Sequence, residues 1–193
     1  MGQVAQRAEQ SRAIQKREVI LRAAIEILLN EGLREVTHRQ VAARAGVPVG
    51  SIGYYYVSRE KLLETCFTEL AKVRTMIAEE QLGLATSTDS DDLVAWRLVE
   101  SLTLGSRKDL PGLIGALIDG LREPGTLFGL VTELYADSVV EAEKILKASN
   151  VALDAVNEVV DAVVGSVIRA QLEKDEQHPS IVETVAAVIA RHR

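Results

Sequence analysis

Cysteine is all but missing from this sequence. Cys66 stands alone, which excludes an internal disulfide and suits a reducing compartment. Proline is scarce as well: four in 193 residues, with 13 glycines, is too few for a loop-rich or fibrous chain. Aromatic side chains make up only 4%, so a core must be built from leucine, valine, isoleucine and alanine within a hydrophobic share of 47%. No apolar run reaches the roughly 18 residues of a bilayer span. The opening stretch MGQVAQRAEQSRAIQKRE is polar and carries both signs of charge, unlike a secretory signal. These absences lead to the expectation of a cytoplasmic protein with no membrane partner.

What is present is charge, unevenly placed. The net formal charge is −6, which taken alone argues against a nucleic-acid partner. Residues 1–62, however, hold ten Lys/Arg against six Asp/Glu, and residues 63–193 hold twelve against twenty-two. A basic end on an acidic body can orient a molecule on a phosphate backbone while the body is repelled.

Apolar periodicity is helical throughout, and no strand-like alternation bounded by hairpin turns occurs. Over residues 16–30 the set Ile20, Ala23, Ala24, Ile27, Leu28 recurs in steps of three and four, while residues 1–13 lack such a face and are expected to be frayed. Gly32 stands at a C-cap position. Thr37 and Gln40 have capping-box spacing at the start of a second, shorter helix with Val41, Ala42 and Ala45 inward. Gly46 ends it, and Pro48 suits the first turn of a third helix running to Tyr55 or Tyr56. Ser58 caps a fourth, reaching about Leu82. After the polar run 85–90, helices are expected over 91–104, 110–122, 126–148, 151–175 and 180–192. The breaks fall at Gly105, Pro124-Gly125, Ser149-Asn150 and His178-Pro179. The fold class is all-α.

Residues 37–62 carry the functional signal: two short helices joined by a tight turn at Gly46-Val47, with a supporting helix on either side. A lone pair of this kind is common. The whole run is specific, with Ala45-Gly46-Val47, the short helix 48–54, the cluster Tyr54-Tyr55-Tyr56, and Ser58-Arg59-Glu60-Lys61-Leu62. Over about residues 16–65 it resembles the TetR family of transcriptional regulators. That resemblance implies an N-terminal helix-turn-helix DNA-binding domain (1–62) and a C-terminal helical ligand-binding and dimerisation domain (63–193). It also implies a homodimer placing two recognition helices in successive major grooves of a palindromic operator, and a repressor released by an unidentified small-molecule effector.

Carried over by position, Thr37, His38 and Arg39 begin the second helix at the DNA. Pro48, Val49, Gly50 and Ser51 stand on the exposed side of the third. Tyr54 and Tyr55 reach phosphates, Arg59 clamps the backbone, and Lys61 adds a further phosphate contact. The chain departs from the family at Gly53, often tyrosine, and at Val49, often lysine. Its recognition helix therefore lacks the Arg, Lys, Asn and Gln side chains that read bases in pairs of hydrogen bonds. Base reading then falls to Ser51, to Val49 against a thymine methyl, and to Arg39 as the guanine contact. The cations Arg7, Arg12, Lys16 and Arg17 form either a solvated end or a minor-groove arm.

In the second part, Leu153, Val156, Val159, Val160, Val163, Val164, Val167, Ile168 and Leu172 recur at helical spacing. Ala162, Gly165, Ser166 and Ala170 permit close helix approach. Ser180 and Glu183 cap a last helix with Ile181, Val182, Val185, Val188 and Ile189 inward. The resemblance implies that these last two helices pair with their copies as a four-helix bundle. Candidates for a ligand pocket are Met76, Trp96, Leu117, Phe128, Leu130 and Tyr135, with Arg97 as the anchor for an acid. His38, His178 and His192 have no metal-ligand spacing, and no phosphate loop or nucleophile motif occurs, so neither catalysis nor a cofactor is implied. Two other readings stay open at this point: a helix-turn-helix regulator without a small-molecule ligand, and a helical small-molecule-binding protein without DNA function.

Overall fold

The computed structural model describes residues 2–172 and 180–193. Among them lie nine helices and no strand: α1 (Gly2–Asn30), α2 (His38–Ala45), α3 (Val49–Tyr55), α4 (Arg59–Leu84), α5 (Asp91–Leu102), α6 (Leu110–Gly120), α7 (Thr126–Ala148), α8 (Ala155–Leu172) and α9 (Ile181–Ile189). None of these helices is long and apolar enough to cross a membrane. The all-α reading holds.

The breaks follow backbone chemistry. Gly32, Gly46, Gly105 and Gly125 take positive φ, as does Asn150, a region where a Cβ is costly and glycine or asparagine is favoured. Each sits at a break expected from sequence. The break at His178-Pro179 lies outside the described residues. Ser180 forms the full capping box: its hydroxyl accepts from the Glu183 N–H at 3.2 Å, and its own N–H donates to Glu183 Oε2 at 2.6 Å. That hydrogen bond to the backbone N–H holds the Glu183 carboxyl below its ordinary pKa.

Three sequence expectations are corrected. Residues 2–13 continue α1 as helix rather than fraying, because alanine, glutamine and arginine are good helix formers and no proline interrupts them. Thr37 accepts from Gln40 N–H at 3.2 Å, but the Gln40 amide turns to Glu35 at 2.5 Å, so only half of that capping box exists. Pro48 is the N-cap residue of α3, one position earlier than its first turn. Two single 3₁₀ turns, Leu33–Glu35 and Arg107–Asp109, carry no periodicity that a sequence reading could detect.

One contiguous core runs from Ile20 in α1 to Ile189 in α9. The five α1 residues assigned inward are all buried. α4 packs against α1, continues between α5 and α7, and belongs to both ends of the molecule. A boundary at 62/63 would fall within its first turns. α6 returns from the body to pack on α1, at a point where a Cβ on Gly112 would lie 1.7 Å from the Leu29 carbonyl oxygen. α9 is held between α5 and α8. α8 begins at Ala155 rather than 151, leaving Leu153 before it, and its inward set is shorter than periodicity implies: Leu153, Ile168 and Leu172 are exposed, the last at 78%. They continue the helical repeat, but no element among the described residues covers them.

Candidate nucleic-acid interface

α2 and α3 are joined by the αL residue Gly46, whose conformation lets the Val47 N–H reach the Ala42 carbonyl at 3.0 Å. The pair is held from below by Val41, Ala42, Ile52 and Tyr56, all buried. Ile52 is the only buried side chain of α3. Everything else on that helix faces outward or is partly covered. Val49 is 52% exposed and Tyr54 81%, and a Cβ on Gly50 or Gly53 would meet nothing within 4 Å. Neither glycine is required by packing inside this chain.

The structure brings most of the sequence candidates to one side. Thr37, the N-cap of α2, lies beside Arg39, Gln40, Ala43 and Arg44 around a shallow hollow. Arg39 is exposed and has no ion-pair partner among the described residues. His38 is half-buried, with Nε2 enclosed and unbonded. Pro48, Val49, Gly50 and Ser51 form the outer start of α3. The rings of Tyr54 and Tyr55 meet edge to face at 5.0 Å between centroids, which sets the exposed phenol on a partly buried one. Tyr56 is core, as expected.

Arg59 is different. Its guanidinium donates to the carbonyls of Val36 at 2.9 Å and Leu33 at 2.7 Å and approaches Glu123 at 3.9 Å. It therefore ties the start of α4 to the turn before α2, and the expected backbone clamp is replaced by a positioning role. Lys61 is exposed but pairs with Glu64 at 2.7 Å, an i,i+3 contact of small energetic weight in water.

Two contacts were missed by sequence reasoning. Arg44 bridges Glu26 at 2.7 Å and Glu31, fastening α2 to the end of α1. The hydrogen bond that Arg44 donates to Glu31, with Glu26 beside it, raises the guanidinium pKa further. Arg17 lies over the Tyr56 ring, 5.8 Å from its centroid, and its carbonyl accepts the Tyr56 hydroxyl at 3.5 Å. Burial pushes the Tyr56 phenol up. Both contacts link residues far apart in sequence, so no local pattern signals them.

Over residues 20–66 the chain matches the model of the bacterial regulatory proteins of the tetR family. This amino-terminal segment is similar to that of the tetR family. The TetR fold extends over the rest of the chain. A transcriptional regulator from Streptomyces coelicolor A3(2) superposes with a TM-score of 0.64 at 25% identity, covering 91% of this chain and 98% of that one. The multidrug binding protein EbrR complexed with malachite green gives 0.65 at 22%, over 91% and 96%. A regulator from Saccharomonospora viridis in complex with choline gives 0.70 at 14%, over 90% and 93%. No curated protein matches the sequence. Segment match and fold together make the chain similar to TetR-type transcriptional regulators.

The candidate pocket residues do not converge. Met76, Trp96, Phe128 and Tyr135 are exposed at 69%, 38%, 49% and 50%, because on each helix a different stripe supplies the core. On α5 that stripe is Val94, Ala95, Leu98 and Val99, leaving Trp96 outside. Leu117 packs against the core, half-buried. Arg97 is buried and committed to Asp89 at 2.9 Å, so it is not available to a ligand acid. The Asp89 carboxyl is held below its usual pKa by the Thr86 hydroxyl and by Arg97. Met76 and Leu130 do meet, in an open, largely apolar groove of about 580 Å³ between α4 and α7, floored by Phe67 and Leu134 and edged by Lys72, Glu133 and Asp137.

A second polar feature lies inside the body. Arg74 on α4 pairs with Glu141 on α7, and Glu141 also accepts from the Thr75 hydroxyl at 3.2 Å. Arg74 is 2% exposed, and its Nε and Nη2 are enclosed without partners. Cys66 is fully buried, and burial pushes its thiol up to about 12.

Proposed function

We propose that this chain is a TetR-type repressor that binds a palindromic duplex as a homodimer and is released by a small molecule. One observation carries the reading: α3 offers an outer face that packs against nothing among the described residues, with two glycines whose small size no contact there requires. A backbone so bare permits close approach to base edges and phosphates. Direct reading rests on Ser51, Val49 and Arg39, with Thr37, His38, Pro48, Gly50, Tyr54 and Tyr55 at the backbone and Lys61 able to exchange Glu64 for a phosphate.

Dimerisation through α8 and α9 is supported by the outer stripe of α8. Gly165, Ile168 and Leu172 fall at helical spacing, the two apolar side chains are exposed, and a Cβ on Gly165 would meet nothing within 4 Å. A second copy at that stripe would bury what this chain leaves bare.

For the effector, the α4–α7 groove is the favoured site. Its apolar floor and the Glu133 and Asp137 carboxylates suit an apolar cation, and the malachite green and choline found with two proteins of the same fold are in keeping with that. Such a ligand would act by binding better to a conformation whose two α3 helices are wrongly spaced for adjacent grooves.

Selection of bound sequences from random duplexes tests the first half. The expected product is a palindrome with half-sites about one helical turn apart, bound by a species sedimenting as a dimer. Recovery of no enriched sequence, by a protein that stays monomeric, would end this reading. A compound that raises the melting temperature while weakening duplex binding supports the second half.

A further inference from the structure

We propose that residues 2–19 of α1 form a basic helical arm that grips the duplex phosphates flanking the site approached by α3. The inference rests on the DNA-binding reading and extends its footprint. Among the described side chains of α1 the first buried one is Ile20. Before it, Arg7, Arg12 and Arg17 are exposed, Lys16 is half-buried, and Ile14 and Val19 are 59% and 44% exposed. The core accounts for α1 from Ile20 onward and gives no reason for the turns that precede it. Those turns add about 27 Å of helix ahead of Ile20, at 1.5 Å per residue.

Charge and position then name the partner. Between residues 6 and 17 the chain holds four cations and a single carboxylate, Glu9, in a protein whose net charge is −6. A concentrated cationic rod is complementary to a phosphate backbone. Its root is fixed at the right place. The Arg17 guanidinium sits on the Tyr56 ring and the Tyr56 hydroxyl donates to the Arg17 carbonyl, while Tyr56 is the residue that closes α3. The arm is therefore clamped to the end of the recognition helix and leaves from there. Lys16 and Arg17 form no ion pair among the described residues, so a phosphate need not compete with an internal carboxylate for them.

The test uses the full chain and a duplex selected by it from a random pool, prepared in two lengths: trimmed to the palindrome, and extended by about ten base pairs on each side. The variant is Arg7→Gln/Arg12→Gln/Lys16→Gln, which keeps helix propensity and touches no core residue. The unmodified protein is expected to prefer the long duplex. The variant is expected to lose roughly 10- to 100-fold on it at low salt, with the slope of log K against log salt shallower by about 2–3 per protomer, and to match the unmodified protein on the short one. Equal affinity and slope for both proteins on the long duplex would overturn the proposal. So would an equal loss on both lengths, or a loss of dimer in sedimentation that accounts for the effect. Failure of the unmodified protein to bind either duplex would instead overturn the regulator reading beneath it.

Discussion

Gly112 of α6 stands against the backbone of Leu29 in α1, with room for a hydrogen and for nothing larger. The body of the protein and its DNA-facing end are in main-chain contact there. Gly112→Ala must push the two helices apart, a strain of about 2–3 kcal/mol by analogy with overpacked cores. The expected result is a melting temperature lower by roughly 5–10 °C. An unchanged melting curve would show that the contact is looser than described.

Gly53 predicts the opposite sign. Its Cβ position is open space, so Gly53→Ala should stabilise α3 by up to about 1 kcal/mol. Affinity for the selected duplex should nonetheless fall, because the bare backbone is what lets the helix approach. Chemical denaturation and titration of labelled duplex separate the two effects, and a variant that gained both stability and affinity would contradict the close approach.

Arg39→Ala should weaken binding to the selected duplex by about 1–3 kcal/mol, and random duplex by much less. Equal losses on both would make Arg39 a phosphate contact. Arg59→Ala, by contrast, should act on stability first, since it removes two hydrogen bonds to the carbonyls of Leu33 and Val36.

The buried pair Arg74–Glu141 makes a third kind of prediction. Removing one partner, as in Glu141→Leu, leaves a guanidinium without a counter-charge and should cost roughly 3–5 kcal/mol. Replacing both, Arg74→Met with Glu141→Leu, should restore most of that loss. Denaturant midpoints of the two single variants and the double variant form the cycle that checks it.

Cys66 offers a probe of opening. With its thiol pushed up to about 12 by burial, almost no thiolate exists at neutral pH, and thiolate is the reacting form. A thiol reagent should label the native protein slowly and the denatured protein at once. Fast labelling of the folded protein would place Cys66 in a more open setting.

Much of this was legible in the sequence, for identifiable reasons. Ile20, Ala23, Ala24, Ile27 and Leu28 all turned out buried because a three-four spacing leaves a helix only one face to bury. Ser180 with Glu183, and the glycines at positive φ, are local devices whose partners lie within a few residues. What could not be read was long-range or directional. Arg59 has the sequence position of a phosphate clamp, and only the fold brings the Leu33 and Val36 carbonyls to it. Trp96 and Arg97 are neighbours on α5, yet one faces outward and the other is buried on Asp89, a choice fixed by which stripe meets α4. Residues 2–13 have no apolar face, and their helix follows from propensity rather than packing.

α4 gives these parts a common lever. It begins directly after the helix-turn-helix at the Ser58 cap, where the hydroxyl accepts from the Lys61 N–H at 3.1 Å, and runs unbroken for 26 residues to Leu84, about 39 Å at the usual rise. A rod of that length tilted by about 5° displaces its far tip by about 3 Å. If two copies pair as proposed, a filler wedged beside its middle turns would need to swing it only slightly to throw the two reading heads out of step with the pitch of the double helix.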